Sequence, residues 1–416
     1  MADSPSVSAL AVIAEREPQS LQLHADKVIH LEFFAEDSVH HKLFRNLRFP
    51  NLESLELDAS DDNDDAALEP YLQPQLNCLL FYGGPISDAF LEKLQSSCPQ
   101  LEELLIDNPR DLISPEGFLR FLESAKALKQ LTLLYGVDRV VTDSVFIALA
   151  IRPGLEVFRL QKLVTASLVS KAVEEQTRRG ASERLFPQLL ELTCVAELDG
   201  LAALLPHLSQ LTYLDTGLRR GRTETHSSVP DISTHCPDLR VLLLEYAPTE
   251  DARIPPQTLV KLAEGLHELE QLGISGEKVE VEGFGLAQFA SMVHALPCLK
   301  SLRLAFECQL TEAALVETSK SCGTTLTELE IGGSYDLRKL EGLVLFPRLR
   351  SLGLGKLVST ATDMMVTKEE AVRTARLLKR IAPDLEDFNV ISEDLFDDMV
   401  EKSWKELVNP MDTGQT

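Results

Sequence analysis

The run from Asp58 to Glu69 offers oxygen ligands in a calcium-loop order, with Asp58, Ser60, Asp62, Asp64 and Glu69 at positions one, three, five, seven and twelve. Asn63 stands where such a loop needs glycine, and Leu52–Leu57 ahead of it reads as a strand rather than a helix. A solvated acidic loop is therefore expected. His40-His41 has no Cys or carboxylate at metal-ligand spacing and reads as surface. Gly353-Leu-Gly355-Lys356 lacks the full phosphate-loop spacing and the Ser or Thr after the lysine, so its glycines are expected on a strand face. Cys78, Cys98, Cys194, Cys236, Cys298, Cys308 and Cys322 form no CxxC pair, which fits neither a disulfide framework nor a zinc site and suits a reducing compartment. Neither G-x-S-x-G nor H-E-x-x-H occurs. Arg178-Arg179 and Arg219-Arg220-Gly-Arg222 are basic spots too short for nucleic-acid binding. These residues lead to an expectation of no catalytic chemistry, no cofactor and no metal.

The elements around these residues are better defined than any of the motifs. A net charge of −25, from 65 acidic against 40 basic residues, disfavours nucleic-acid backbones and anionic membranes. It favours a neutral or basic partner. The apolar stretch Ala9–Ala14 is too short for a signal-peptide core, and no run approaches the ~18 apolar residues of a membrane span. The expected setting is cytoplasmic or nuclear, and the expected state a monomer.

A pattern L-x-x-L-x-L, with conservative swaps, recurs fourteen times, starting at Val28, Leu52, Leu76, Leu101, Leu128, Leu155, Leu189, Leu211, Leu239, Leu269, Leu299, Leu326, Leu349 and Leu385. The mean spacing of about 27 residues lies in the leucine-rich-repeat range. The second and third apolar residues of each copy are two apart, so they share one side of a strand, and stacking the copies buries that row. Between copies the chain reads as helix. Ser114 precedes Pro115, and Phe118, Phe121 and Leu122 share a face. Thr367-x-x-Glu370 is a capping box ahead of Ala371, Ala375, Leu378 and Ala382. Ser87 and Thr311 can cap further helices, and Ser392 one bearing Phe396, Met399, Val400, Trp404 and Leu407. One strand and one helix per repeat predict an α/β leucine-rich-repeat solenoid, a horseshoe with parallel strands on the concave face and helices on the convex face. The expected organisation is an N-terminal tail or cap over residues 1–24, about 14 repeats over 25–391, and a capping helix and tail over 392–416. The first twenty or so residues read as a loose strand or tail.

Cys98-Pro99-x-Leu101-x-x-Leu104 and Cys236-Pro237-x-Leu239-x-x-Leu242 resemble the cysteine-containing, ribonuclease-inhibitor-like repeat of F-box/leucine-rich-repeat proteins. Pro297-Cys298-Leu299 and Cys322 are weaker echoes. The resemblance spans roughly residues 28–391 as architecture and implies substrate recognition within a cullin-type ubiquitin ligase, with a cullin adaptor as a partner. An F-box, a helical module opening with Leu-Pro, is not recognisable ahead of Val28.

A ligand would meet the residues between the buried rows. That frame places acidic Glu32, Glu56, Asp58, Glu103, Asp107, Glu191, Asp215, Glu245, Glu328, Glu330 and Asp387 on the concave face against basic Arg159 and Arg303, a net of about −9. His30 is the uncertain member. Either the face is simply solvated or it is a groove for a basic segment of a protein partner. Cys78, Leu80, Tyr82, Leu105 and Leu134, with Val157 beside them, form an apolar group rimmed by Glu103 and Asp107. Tyr213, Val241 and Leu243 form a second. The partner-binding residues expected are Leu80, Tyr82, Glu103, Leu105, Asp107, Leu134, Tyr213 and Leu243. The function expected is a protein–protein interaction scaffold. A regulator of a small GTPase and a structural subunit of a larger complex are the alternatives.

Overall fold

The computed structural model describes residues 7–33, 41–44, 46–60, 65–180, 184–219, 231–249, 251–359, 367–392 and 394–408. The chain forms two compact units, Met1–Val195 and Ala196–Thr416.

Unit 1 carries β1 (His30–Phe33), β2 (Ser54–Leu57), β3 (Cys78–Phe81), β4 (Glu103–Ile106), β5 (Gln130–Leu133), β6 (Val157–Val164) and β7 (Glu191–Glu197), within which the division falls. Strands β1 to β6 pair side by side in sequence order, all parallel. Each is the second half of a leucine motif, and the in-register rows are the motif positions themselves, as in Leu55–Leu79–Leu104. In β1 to β4 the burial alternates strictly, because successive side chains leave a strand on opposite faces. The helices are α1 (Val7–Arg16), α2 (Leu21–Ala25), α3 (His41–Phe44), α4 (Asp88–Ser97), α5 (Pro115–Ser124), α6 (Asp143–Ala150) and α7 (Ala166–Arg178). Where a loose strand or tail was expected, α1 and α2 are helical, with Val7, Leu10, Ala11, Leu21 and Ala25 buried.

The caps follow the sequence. Ser87 Oγ accepts the Phe90 N–H at 3.2 Å, and Ser114 Oγ accepts the Gly117 N–H at 2.9 Å. Thr142 and Thr165 do the same for α6 and α7. The C-terminus of α5 is closed from the next repeat, where the Arg152 guanidinium donates to the carbonyls of Leu122 and Ala125. Those carbonyls have no intrahelical donor and carry the negative end of the helix dipole.

Unit 2 carries β8 (Tyr213–Arg219), β9 (Val241–Tyr246), β10 (Ala252–Arg253), β11 (Gln271–Glu280), β12 (Ser301–Glu307), β13 (Glu328–Tyr335), β14 (Ser351–Leu357) and β15 (Asp387–Val390). All pairings are again parallel and follow sequence order, except that β10 adds only to the end of β11, leaving β9 to pair directly with β11. The short β10 belongs to no leucine motif. The helices are α8 (Leu198–Leu204), α9 (Ile232–His235), α10 (Pro256–Gly265), α11 (Leu286–His294), α12 (Glu312–Cys322), α13 (Lys368–Ile381) and α14 (Leu395–Val408).

Two expected caps in unit 2 differ. Thr311 precedes α12 but its hydroxyl makes no cap bond, and Ser392 Oγ accepts the Asp394 N–H at 3.3 Å, in the turn before α14 rather than inside it. Thr367 does cap α13 through the Glu370 N–H, while the Glu370 carboxylate accepts from Ser359. Phe396, Val400 and Trp404 of α14 are buried, Trp404 standing edge-on to Phe388 of β15 at 6.2 Å; Met399 is half-buried and Leu407 exposed. Both units are thus leucine-rich-repeat α/β stacks, each strand returning through a helix or turn to its neighbour.

Candidate partner-binding face

Every outward residue expected in unit 1 lies on the strand face opposite the leucine rows. Leu80 and Leu105 are register partners on β3 and β4, as are Cys78 and Glu103, so each pair is about 4.8 Å apart. The ladder continues past the strand ends. Tyr82 donates its N–H to Leu57 at 2.9 Å, Asp107 to Phe81 at 2.8 Å and Leu134 to Ile106 at 3.1 Å. Leu80, Tyr82, Glu103, Leu105, Asp107 and Leu134 therefore occupy one continuous surface across three strands, and all are half-buried, as the alternating register requires. Glu56 adjoins Leu80 in register, with Glu32 next to Glu56.

Val157 departs from the expectation. It is 8% exposed, as is Thr132, which lies in register between Leu105 and Arg159. The open apolar group consequently ends near β5. Short side chains between longer neighbours lose their solvent contact even on an outward face.

Electrostatics tie this surface together. The Tyr82 phenol and the Glu56 carboxylate lie close enough to perturb each other, a pairing that no spacing rule foretold. Burial, and then the neighbouring Glu32, push the Glu56 carboxyl above its ordinary value, with the nearby Tyr82 hydroxyl opposing them. Burial and then the Glu56 charge push the Tyr82 phenol up. Cys78 donates its S–H to Glu103 Oε2 at 3.5 Å, and burial pushes its thiol up to about 11. At neutral pH it is a protonated, small apolar contact. Both basic residues of the outward frame are spent within it: Arg159 pairs with Glu191 and Arg303 with Glu330, each at 3.0 Å.

The second expected group belongs to unit 2. Tyr213 pairs with Val241, and Leu243 lies between Asp215 and Gly273. The Leu243 side chain leans over Gly273, where an added Cβ would come within 2.7 Å of its Cδ2. All three apolar residues are half-buried.

Several residues of the motifs with possible chemistry pair or pack within the fold. Glu69 sits in a 3-10 turn, Asp65–Tyr71, and pairs with Lys93; residues 61–64 lie outside the described residues. His40 and the Arg220-Gly221-Arg222 stretch also lie outside them. Arg178 and Arg179 both pair with Glu175 on their own helix. Gly353 and Gly355 are on β14, as expected. Cys98 and Cys236 end α4 and α9 with nearly the same backbone angles, φ −122°, ψ 65° and φ −127°, ψ 64°. Both are buried, and burial pushes both thiols up to about 12. Among the described residues no group of three or more His, Cys, Asp or Glu is placed to hold a metal, and no helix is long and apolar enough to cross a membrane.

No protein-family model matches the sequence, and no curated protein matches it. Among solved structures the chain is similar to one from the crystal structure of the Rad7 and Elc1 complex in yeast, with TM-score 0.42 and 17% identity, covering 72% of this chain and 81% of that one. It is also similar to the leucine-rich-repeat-containing protein LegL7 from Legionella pneumophila, with TM-score 0.30 and 11% identity, covering 91% of this chain and 97% of that one. The fold assignment rests on the parallel strands and their leucine rows.

Proposed function

We propose that this chain is a protein-recognition scaffold that holds a partner on the strand face of unit 1. The observation that carries this is the half-buried apolar group Leu80, Tyr82, Leu105 and Leu134 beside Glu56, Glu103 and Asp107 on an outward face. Apolar side chains with a charged rim, on a rigid parallel sheet, have the composition of an interface centre. The rim suits a partner segment carrying Lys or Arg next to an aliphatic or aromatic side chain. Tyr213 and Leu243 would serve the same purpose in unit 2. The scaffold acts as a monomer and does no chemistry of its own.

The finer reading is a substrate receptor for a cullin-type ubiquitin ligase. Its support is the Cys-Pro repeat, whose two clear copies adopt one geometry at Cys98 and Cys236. The test is co-purification of the wild-type chain and the Tyr82→Ala/Leu105→Ala variant, read by quantitative mass spectrometry. A partner retained by the wild type and lost by the variant is expected, together with a cullin adaptor. Equal recovery by both proteins overturns the unit 1 face. A GTPase, or one stoichiometric assembly without an adaptor, overturns the receptor role.

A further inference from the structure

Unit 2 contains a cavity of about 690 Å³ at the C-terminal ends of β11 to β14. It has an unusual floor. Ala305, Gly333 and Gly355 contribute almost no side chain there and stay partly exposed, while Gly332 beside them is buried. The glycines are required by the sheet. The register of β13 against β14 shifts between Ile331 and Ser334, and Gly333 takes the extra residue at φ +119°. A Cβ on Gly355 would meet Gly333 N and O at 2.4 Å. The bulge thus removes the side chains that would otherwise fill this part of the outward face.

The walls define what could enter. Cys308, Leu310 and Ile391 are apolar, and Ile391 is 48% exposed at the end of β15. Glu277 and Glu307 are exposed acids on one side. Lys356, the lysine of the wall, is in an ion pair with Asp394. An anionic ligand would meet repulsion here, and a polar neutral one would leave Ile391 uncovered.

We infer that this cavity is a second recognition pocket, taking a large apolar side chain, aromatic by preference, from a protein partner whose flanking residues are Lys or Arg. A flat ring can lie on the glycine backbone floor with its edge against Cys308 and Ile391, while flanking cations reach Glu277 and Glu307. The volume falls in the range of ligand-binding pockets, roughly 300–1,000 Å³, and exceeds what a small side chain would fill. The pocket is independent of the unit 1 face, and each can fail without the other.

The test uses the full chain and capped tripeptides, acetyl-Arg-Trp-Arg-amide against acetyl-Glu-Trp-Glu-amide, titrated by ligand- and protein-observed NMR. Binding of the cationic peptide is expected at least about ten-fold tighter, equivalent to one 1.4 kcal/mol step. Ala305→Trp, which fills the floor, is expected to weaken it by about ten-fold or more. Glu277→Lys/Glu307→Lys changes only exposed side chains and is expected to invert the peptide preference. Equal binding of the two peptides, an unchanged preference in the double charge reversal, or undiminished binding in a folded Ala305→Trp protein overturns the pocket.

Discussion

Truncating Leu105 to Ala tests the recognition face most directly, because its expected effect divides between folding and binding in a calculable way. The change removes three carbon atoms. At ~0.8 kcal/mol per buried methylene group, a fully buried site would lose about 2.4 kcal/mol. Leu105 is half-buried in the free chain, beside Leu80 and Thr132. No more than about a third of its surface is open, so ~1.6 kcal/mol is already realised in folding, and at most ~0.8 kcal/mol is gained only when a partner covers the rest. The dissociation constant for a captured partner should rise about four-fold, and the folding free energy of unit 1 should fall by ~1.6 kcal/mol. Leu80→Ala has the same arithmetic, and the two together should weaken binding roughly 15-fold if they act additively. Isothermal titration with the purified partner gives the first number and urea denaturation the second. A binding change under about two-fold, with the stability change as expected, would refute the claim that this surface is covered in the complex. A stability loss above ~3 kcal/mol would instead show that Leu105 belongs to the core.

Other consequences follow from groups outside the face. Arg152→Ala deprives the α5 C-terminus of two charge-assisted bonds and should destabilise unit 1 by about 2–4 kcal/mol in urea melts, with Arg152→Lys restoring only part because it lacks the planar fork. Asp397, 1% exposed, accepts the Leu357 N–H at 3.0 Å while burial pushes its carboxyl above 3.8. Folding therefore favours its protonated form, a contribution present below pH 3.8 and lost as pH rises through the elevated folded value. Asp397→Asn should accordingly gain stability relative to wild type as pH rises through this window, and a constant difference across pH would count against it. Cys98, Cys236 and Cys322, with thiols pushed up to about 12 by burial, should resist a neutral maleimide in native buffer and react in urea, as read by peptide mass spectrometry.

Sequence alone determined the strands and which way their side chains point. All fourteen leucine motifs are strands because a two-residue period has only two faces, and a repeating pitch leaves no other way to bury Leu55, Leu79 and Leu104 together. Ser87, Ser114 and Thr367 were legible as caps because a cap acts across three residues of the same chain. Only the tertiary structure decided which outward residues stay open. Val157 and Thr132 are covered because burial depends on neighbours about one repeat away, whose lengths no local pattern relates to theirs. The Tyr82–Glu56 proximity and the Arg152 closure of α5 likewise relate residues of successive repeats. The unit 2 cavity follows from a one-residue register shift at Gly333, and a shift of one residue between paired strands leaves no mark on the leucine period.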